Sequence, residues 1–246
     1  MIQLPPELVD EILTHLEHDN QALQYCSLVA KSWAYPSQKL LYTRVIVTPP
    51  AYRTWQEIAS PTSAKLLRHV HSLTCRQFQS LYDIHEDYLK SFHHLQRLAL
   101  DKIGNLELNA VNLFPSFQNT LSSLSLFQVS LTLDVFIKLL GYFTKLRDLY
   151  LNDPTFCAEH RITPSPGSTP PRGSLSLCRL SAESMDILLR GLCGLEPQYD
   201  KLAIFSSSSH AHSIISTCEK TLTHLKLGPP DCTLYAFYLY QYLSFV

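Results

Sequence analysis

Eleven histidines and seven cysteines in a chain of 246 residues are the side chains from which a metal site or a nucleophile would be built. Their spacing builds neither. His69 with His71, His93 with His94, and His210 with His212 stand two or fewer positions apart, with no carboxylate or cysteine cluster to complete a ligand set. Cys157-x-x-His160 comes nearest to ligand spacing, but it sits alone among prolines, and a structural zinc ion takes four ligands. There is no G-x-S-x-G, no G-x-G-x-x-G, no Walker loop and no H-E-x-x-H. Glu86-Asp87 and Glu183 stand where helices would begin, a place that favours carboxylates through the helix dipole, so they do not read as an acid/base pair. No metal, no other cofactor and no enzymatic activity are expected.

Composition points the same way. The net charge is −1 and 17% of residues are charged, so nothing calls for nucleic acid or anionic lipid as a partner. The cysteines (Cys26, Cys75, Cys157, Cys178, Cys193, Cys218, Cys232) are odd in number and scattered, with no C-x-x-C pair. They read as reduced thiols serving as small apolar residues, in a cytoplasmic or nuclear setting. No signal peptide, no N-x-S/T acceptor and no apolar run long enough for a membrane span is found.

With no chemistry to position, the question becomes what the elements hold. Residues 1–47 predict a set of short helices. Pro5 or Pro6 can start the first, because proline's missing N–H falls where no intrahelical bond is needed. Leu8, Ile12, Leu13 and Leu16 then form one apolar stripe. Asp19 or Asn20 can cap a second helix carrying Leu23, Cys26 and Leu28. A third segment carries Val29 and Trp33, and Pro36 would start a further turn with Leu40, Leu41 and Tyr42. So small a unit holds more apolar surface than it can hide, and should lean on a neighbour or a partner.

The run Leu4-Pro5-x-Glu7-Leu8, then Ile12-Leu13 and Leu16, Leu23, Ser27-Leu28-Val29 with Trp33, and Leu40-Leu41-Tyr42 resembles the F-box. Where that family usually has cysteine and two basic residues before the tryptophan, this chain reads Val29-Ala30-Lys31-Ser32. The departure is mild and matches F-box-like variants.

After Pro49-Pro50 the chain shows a period. L-x-x-L-x-L occurs at Leu95, Leu98, Leu100; at Leu121, Leu124, Leu126; at Leu146, Leu149, Leu151; and at Leu222, Leu225, Leu227, with weaker copies between and before. The middle anchors fall at 73, 98, 124, 149, 175, 202 and 225, so successive steps are 25, 26, 25, 26, 27 and 23 residues. Such a repeat is the signature of a leucine-rich repeat, in which inward leucines of short strands stack rung on rung. Val45-Ile46-Val47 can be the first rung, joining the two units without a linker. Val135, Phe136, Leu139 and Leu140 predict one return helix, started by Thr132 or Asp134. Met185, Leu188, Leu189 and Leu192 predict another, capped by Ser181.

The fold class expected is α+β: a small all-α F-box over residues 1–47, then an α/β leucine-rich-repeat solenoid, horseshoe-like, over residues 48–246. Strands are predicted near 45–47, 72–76, 97–101, 123–127, 148–152, 174–178, 201–205 and 224–228. This half resembles the degenerate repeats that follow F-boxes in many fungal proteins. The family's asparagine after each strand is replaced by Ile103, Val129 and Pro154, which predicts irregular, poorly ordered turns. Residues 154–173, with five prolines and two glycines, predict a loop on the convex side, where Thr163-Pro164, Ser165-Pro166 and Thr169-Pro170 offer proline-directed phosphorylation sites beside the plainer reading of an exposed loop. The apolar ending YLYQYLSFV either wraps over the final rung or continues into a longer functional protein, and the second is favoured.

What the resemblance implies is a substrate-receptor subunit of an SCF-type cullin–RING ubiquitin ligase. Leu4, Pro5, Leu8, Ile12, Leu13, Leu16, Leu28, Val29 and Trp33 would meet the Skp-type adaptor, and through it the cullin and RING subunits. The repeat face would hold a target protein, with Arg97, Asp101, Phe127, Asp148, Tyr150, Asn152, Phe205 and Lys226 as candidate contacts. Phe127, Tyr150 and Phe205 should project outward, as binding anchors or as stray aromatics. The alternative is an interaction scaffold that uses both parts for binding without building a ligase.

Overall fold

The computed structural model describes residues 4–52, 67–84, 86–107, 112, 114, 117–157, 172–193, 197–205 and 211–228. The chain opens with three helices, α1 (Pro6–His15), α2 (Asn20–Val29) and α3 (Lys31–Leu41). Pro6 takes the first helical position of α1, and the Pro5 carbonyl accepts from the Leu8 and Val9 amides. Asp19 caps α2, its carboxylate accepting from the Ala22 amide at 2.8 Å. Pro36 does not start a new turn as expected but lies inside α3, which runs through it at the loss of one backbone hydrogen bond. Val9, Leu13 and Leu23 form a small core, against which Leu16, Cys26, Trp33, Leu40 and Leu41 pack.

Among the described residues, eight strands follow in one wholly parallel sheet: β1 (Arg44–Val47), β2 (Ser72–Arg76), β3 (Arg97–Asp101), β4 (Ser123–Phe127), β6 (Asp148–Asn152), β8 (Arg172–Cys178), β9 (Gln198–Phe205) and β10 (His224–Leu227). Each pairs with the next in chain order, so the chain winds rather than doubling back. Two register rows carry the core: Val45, Leu73, Leu98, Leu124, Leu149, Leu175, Leu202, Leu225, and Val47, Cys75, Leu100, Leu126, Leu151, Leu177, Ile204, Leu227. Period-2 alternation puts both rows on one side. There they pack on the return segments: α4 (Glu86–Lys90), α5 (Leu133–Tyr142), α6 (Ala182–Cys193) and α7 (Ala211–Cys218). Thr132 caps α5 and the Ser181 hydroxyl accepts from the Ser184 amide at the start of α6. Every member of the two rows is buried except Leu225 and Leu227, on the last described strand.

The turns are regular, contrary to the expectation from the missing asparagines. Immediately after five successive strands stands a residue in the left-handed region: Gln77, Lys102, Gln128, Asp153 and Arg179, with φ between 49° and 61°. None is glycine, so each costs about 1 kcal/mol or more of backbone strain. Each also donates its N–H to the last carbonyl of the following strand: to Asp101, Phe127, Asn152, Cys178 and Phe205, at 2.8–3.0 Å. A backbone ladder thus ties the turns. The side chains of Ile103, Val129 and Pro154 are buried beneath it, while their carbonyls accept from the Ser130 amide, the Thr155 amide and the Ser184 hydroxyl. A second, two-stranded parallel pair extends this order, β5 (Ser130–Thr132) with β7 (Thr155–Cys157). The predicted loop is therefore strand at Thr155–Cys157 and again from Arg172, and its phosphorylation candidates Thr163, Ser165 and Thr169, with His160, fall outside the described residues, as does the YLYQYLSFV ending. At Gly173, where φ is 92° and the β8–β9 register shifts, an added Cβ would strike the Arg147 carbonyl. Only glycine serves there.

Candidate functional site

Two surfaces take up the residues singled out by sequence. The first is the helical unit. Along α1 two apolar rows run side by side, and only one is core. Val9 and Leu13 face inward at 2% and 0% exposure, whereas Leu8 and Ile12, each one position earlier, are 45% and 40% exposed. Leu4 and Pro5 are exposed just before the helix. At the end of α2, Leu28 and Val29 reach 82% and 69% exposure. An unpaired leucine is unremarkable on a surface, but six apolar residues in one small three-helix unit are a surplus that a partner would cover.

The expected contact set divides on this evidence. Leu13 is fully buried, and Leu16 and Trp33 pack on the same small core, so all three support the unit from within. Leu13 and Leu16 were grouped with the contact residues because an i, i+4, i+5, i+8 stripe on α1 is broad enough to span two rows, and Trp33 because the F-box resemblance implies it. Tyr25 and Tyr35 are the exposed aromatics that spacing did not single out. The Tyr25 hydroxyl accepts from Gln21 at 3.2 Å. Tyr35 accepts from Arg68 and sits edge-on to His69, which links α3 to the start of the sheet.

The second surface is the sheet face opposite the helices. Its outer register row reads Arg76, Asp101, Phe127, Asn152, Cys178, Phe205. Here the expected outward anchors prove buried: Phe127, Tyr150 and Phe205 are 8% exposed or less, in one cluster with Ala99 and Cys178. The Phe127 and Tyr150 rings lie 5.1 Å apart. Small register neighbours make this packing feasible, since Tyr150 stands between Ser125 and Ser176. Lys226 Nζ lies 5.7 Å from the centre of the Phe205 ring. Asp101 is not free, because Arg76 Nε donates to it at 2.8 Å. Asn152 is almost wholly buried, and among the described residues neither atom of its amide has a hydrogen-bond partner.

The other end of these strands is charged and open. Arg97, Asp148 and Lys201 fall in one row and are exposed. Desolvation raises the Asp148 carboxyl above the usual aspartate value, and the nearby Lys201, Arg97 and Arg147 partly offset this. Among the described residues no group of three or more histidines, cysteines and carboxylates is placed to hold a metal ion. Among them too, no helix is long and apolar enough to cross a membrane.

Compared with known families, residues 1–35 match the F-box domain. The chain therefore carries an F-box at its helical end, a domain that works through protein–protein interaction and generally binds Skp-type adaptors in SCF complexes. No curated protein matches the chain.

Proposed function

We propose that this protein is a non-catalytic substrate receptor of an SCF-type cullin–RING ubiquitin ligase. On this reading the sheet and its return helices form a degenerate leucine-rich-repeat solenoid. The observation that carries it is the exposure of Leu4, Leu8, Ile12, Leu28 and Val29 on a unit that matches the F-box. Those side chains are the ones offered to the Skp-type adaptor, while Leu13, Leu16 and Trp33 hold the helices that present them. The strand β1 follows α3 after two residues and pairs at once with β2, and the Thr43 carbonyl accepts from the His71 and Ser72 amides. Such a close join suits a receptor that must hold a target lysine within reach of a remote catalytic subunit, an effective-concentration effect.

The target would meet the open sheet face. Arg97, Asp148 and Lys201 supply charge there. Leu8→Ala combined with Ile12→Ala should abolish pull-down of the Skp-type adaptor while circular dichroism stays unchanged. Undiminished adaptor binding by that folded variant would remove the reading. Co-purification of cullin with the tagged protein separates a ligase subunit from a scaffold that only binds.

A further inference from the structure

Between the helical unit and the sheet lies a cavity of about 440 Å³, within the range of small-ligand pockets. Three elements wall it. Asn20, Gln24 and Ser27 stand at i, i+4 and i+7 on α2, so that helix turns a stripe of amides and hydroxyl towards the sheet. Gln38, Leu41 and Tyr42 close it from the end of α3. The floor is the free face of the first two strands, Arg44 and Ile46 of β1 beside Ser72 and Thr74 of β2. These residues are apart from the exposed Leu8, Ile12 and Leu28, and from the Phe127–Tyr150 row.

The cleft is open to solvent, and most of its lining residues carry hydrogen-bonding side chains, although apolar atoms make up the larger part of its surface. It holds one charged side chain, Arg44, and no carboxylate. Arg44 reaches only His18 Nδ1, at 3.4 Å, and forms no ion pair among the described residues. With Nη1 engaged by His18, the other N–H groups of this half-buried guanidinium remain to match a planar carboxylate that accepts two parallel N–H bonds.

We infer that this cavity binds a carboxylate, with Arg44 as its anchor and the amides of Asn20, Gln24 and Gln38 meeting the polar groups beside it. A doubly charged phosphate suits the site less well, because there is no second cation in the lining. The N-terminus of α2 is already partly occupied, since the Asp19 carboxylate accepts from the Ala22 amide at 2.8 Å and the Asp19 carbonyl from the Leu23 amide at 3.0 Å. The carboxylate can come from a free hydroxy acid or from the C-terminus of a polypeptide, and both carry the neutral donors and acceptors that the amides would meet.

The test is calorimetric titration of the full chain with four probes: citrate, N-acetyl-trialanine with a free carboxylate, the same tripeptide as its C-terminal amide, and inorganic phosphate. Saturable binding of citrate alone assigns a free acid, and of the free tripeptide alone a chain terminus. In either case Arg44→Gln should weaken binding by roughly tenfold or more, Arg44→Lys by less, and the tripeptide amide should not bind. Gln24→Ala, on an exposed helix position, gives a second variant that should weaken binding without touching the fold. No saturable binding by either carboxylate, binding insensitive to Arg44→Gln, or phosphate binding as tightly as the carboxylates would each overturn the inference.

Discussion

Arg76 Nε donates to Asp101 Oδ2 at 2.8 Å across neighbouring strands, at the head of a row that continues with Phe127, Asn152, Cys178 and Phe205. Both side chains are largely buried, at 18% and 10% exposure. An ion pair therefore stands where the later rungs put rings and a thiol. Asp101→Ala should strand the guanidinium and cost about 2 kcal/mol, lowering Tm by roughly 4–8 °C. Arg76→Leu combined with Asp101→Leu should recover most of that loss, since apolar replacement of a buried pair is often neutral. A double variant as unstable as Asp101→Ala would show that the pair is worth more than its row's apolar neighbours.

Leu13 and Leu28 carry the same side chain and should behave oppositely. Leu13→Ala opens a cavity in the small core with Val9 and Leu23, and should cost about 2–5 kcal/mol. Thermal unfolding followed by circular dichroism reads that loss. Leu28 is 82% exposed, so Leu28→Asp should leave the unfolding curve within about 0.5 kcal/mol of the parent. The same variant should fail to pull down the Skp-type adaptor. Equal melting losses for the two would mean that Leu28 is packed in solution.

Much of this architecture was legible. The step of about 25 residues between leucine triplets is a spacing of rungs, and the strands fall where Leu73, Leu98, Leu124, Leu149, Leu175 and Leu202 stand. Period 2 tells which side chains share the leucine face, but not whether the rest stay in water. Phe127, Tyr150 and Phe205 were therefore misjudged, because their burial depends on small residues in neighbouring strands. The stripe on α1 merged two rows, exposed Leu8 and Ile12 with inward Leu13 and Leu16, since adjacent rows of that helix are both apolar. Turn order was invisible for a different reason. It comes from backbone N–H groups at Gln77, Lys102, Gln128, Asp153 and Arg179, of which only Asp153 is of a type that often takes a positive φ. The polar stripe of α2 meant nothing until β1 and β2 stood opposite it.

Asp148 should make stability depend on pH with a definite sign. Desolvation raises its folded pKa above the ordinary 3.8, against the pull of Lys201, Arg97 and Arg147. In the folded state it therefore holds its proton to higher pH than in the unfolded chain. Its contribution is fully present below 3.8 and is lost as pH rises through the folded value. Asp148→Asn should remove that loss, so urea midpoints for variant and parent should diverge as pH rises from below 3.8 towards neutrality, the variant becoming the more stable. Parallel curves would place the carboxylate in open solvent.

Two cysteines give a readout of the core itself. Cys75 lies wholly buried in the row of Val47 and Leu100, and burial pushes its thiol up to about 12. With almost no thiolate at neutral pH and no access, it should resist alkylation in the folded protein. Cys157, exposed on β7 within 3.5 Å of the Ser130 hydroxyl, should react readily. Iodoacetamide labelling followed by peptide mass spectrometry should find Cys157 modified under native conditions and Cys75 modified only after denaturant is added. Because Cys75 lies on β2, paired with Val47 of β1 near the join with the helical unit, its protection also reports on that join. Leu13→Ala should leave Cys75 protected if the sheet stands without the small helical core, and labelling of both cysteines at the same rate in the parent would contradict the packing of the first rungs.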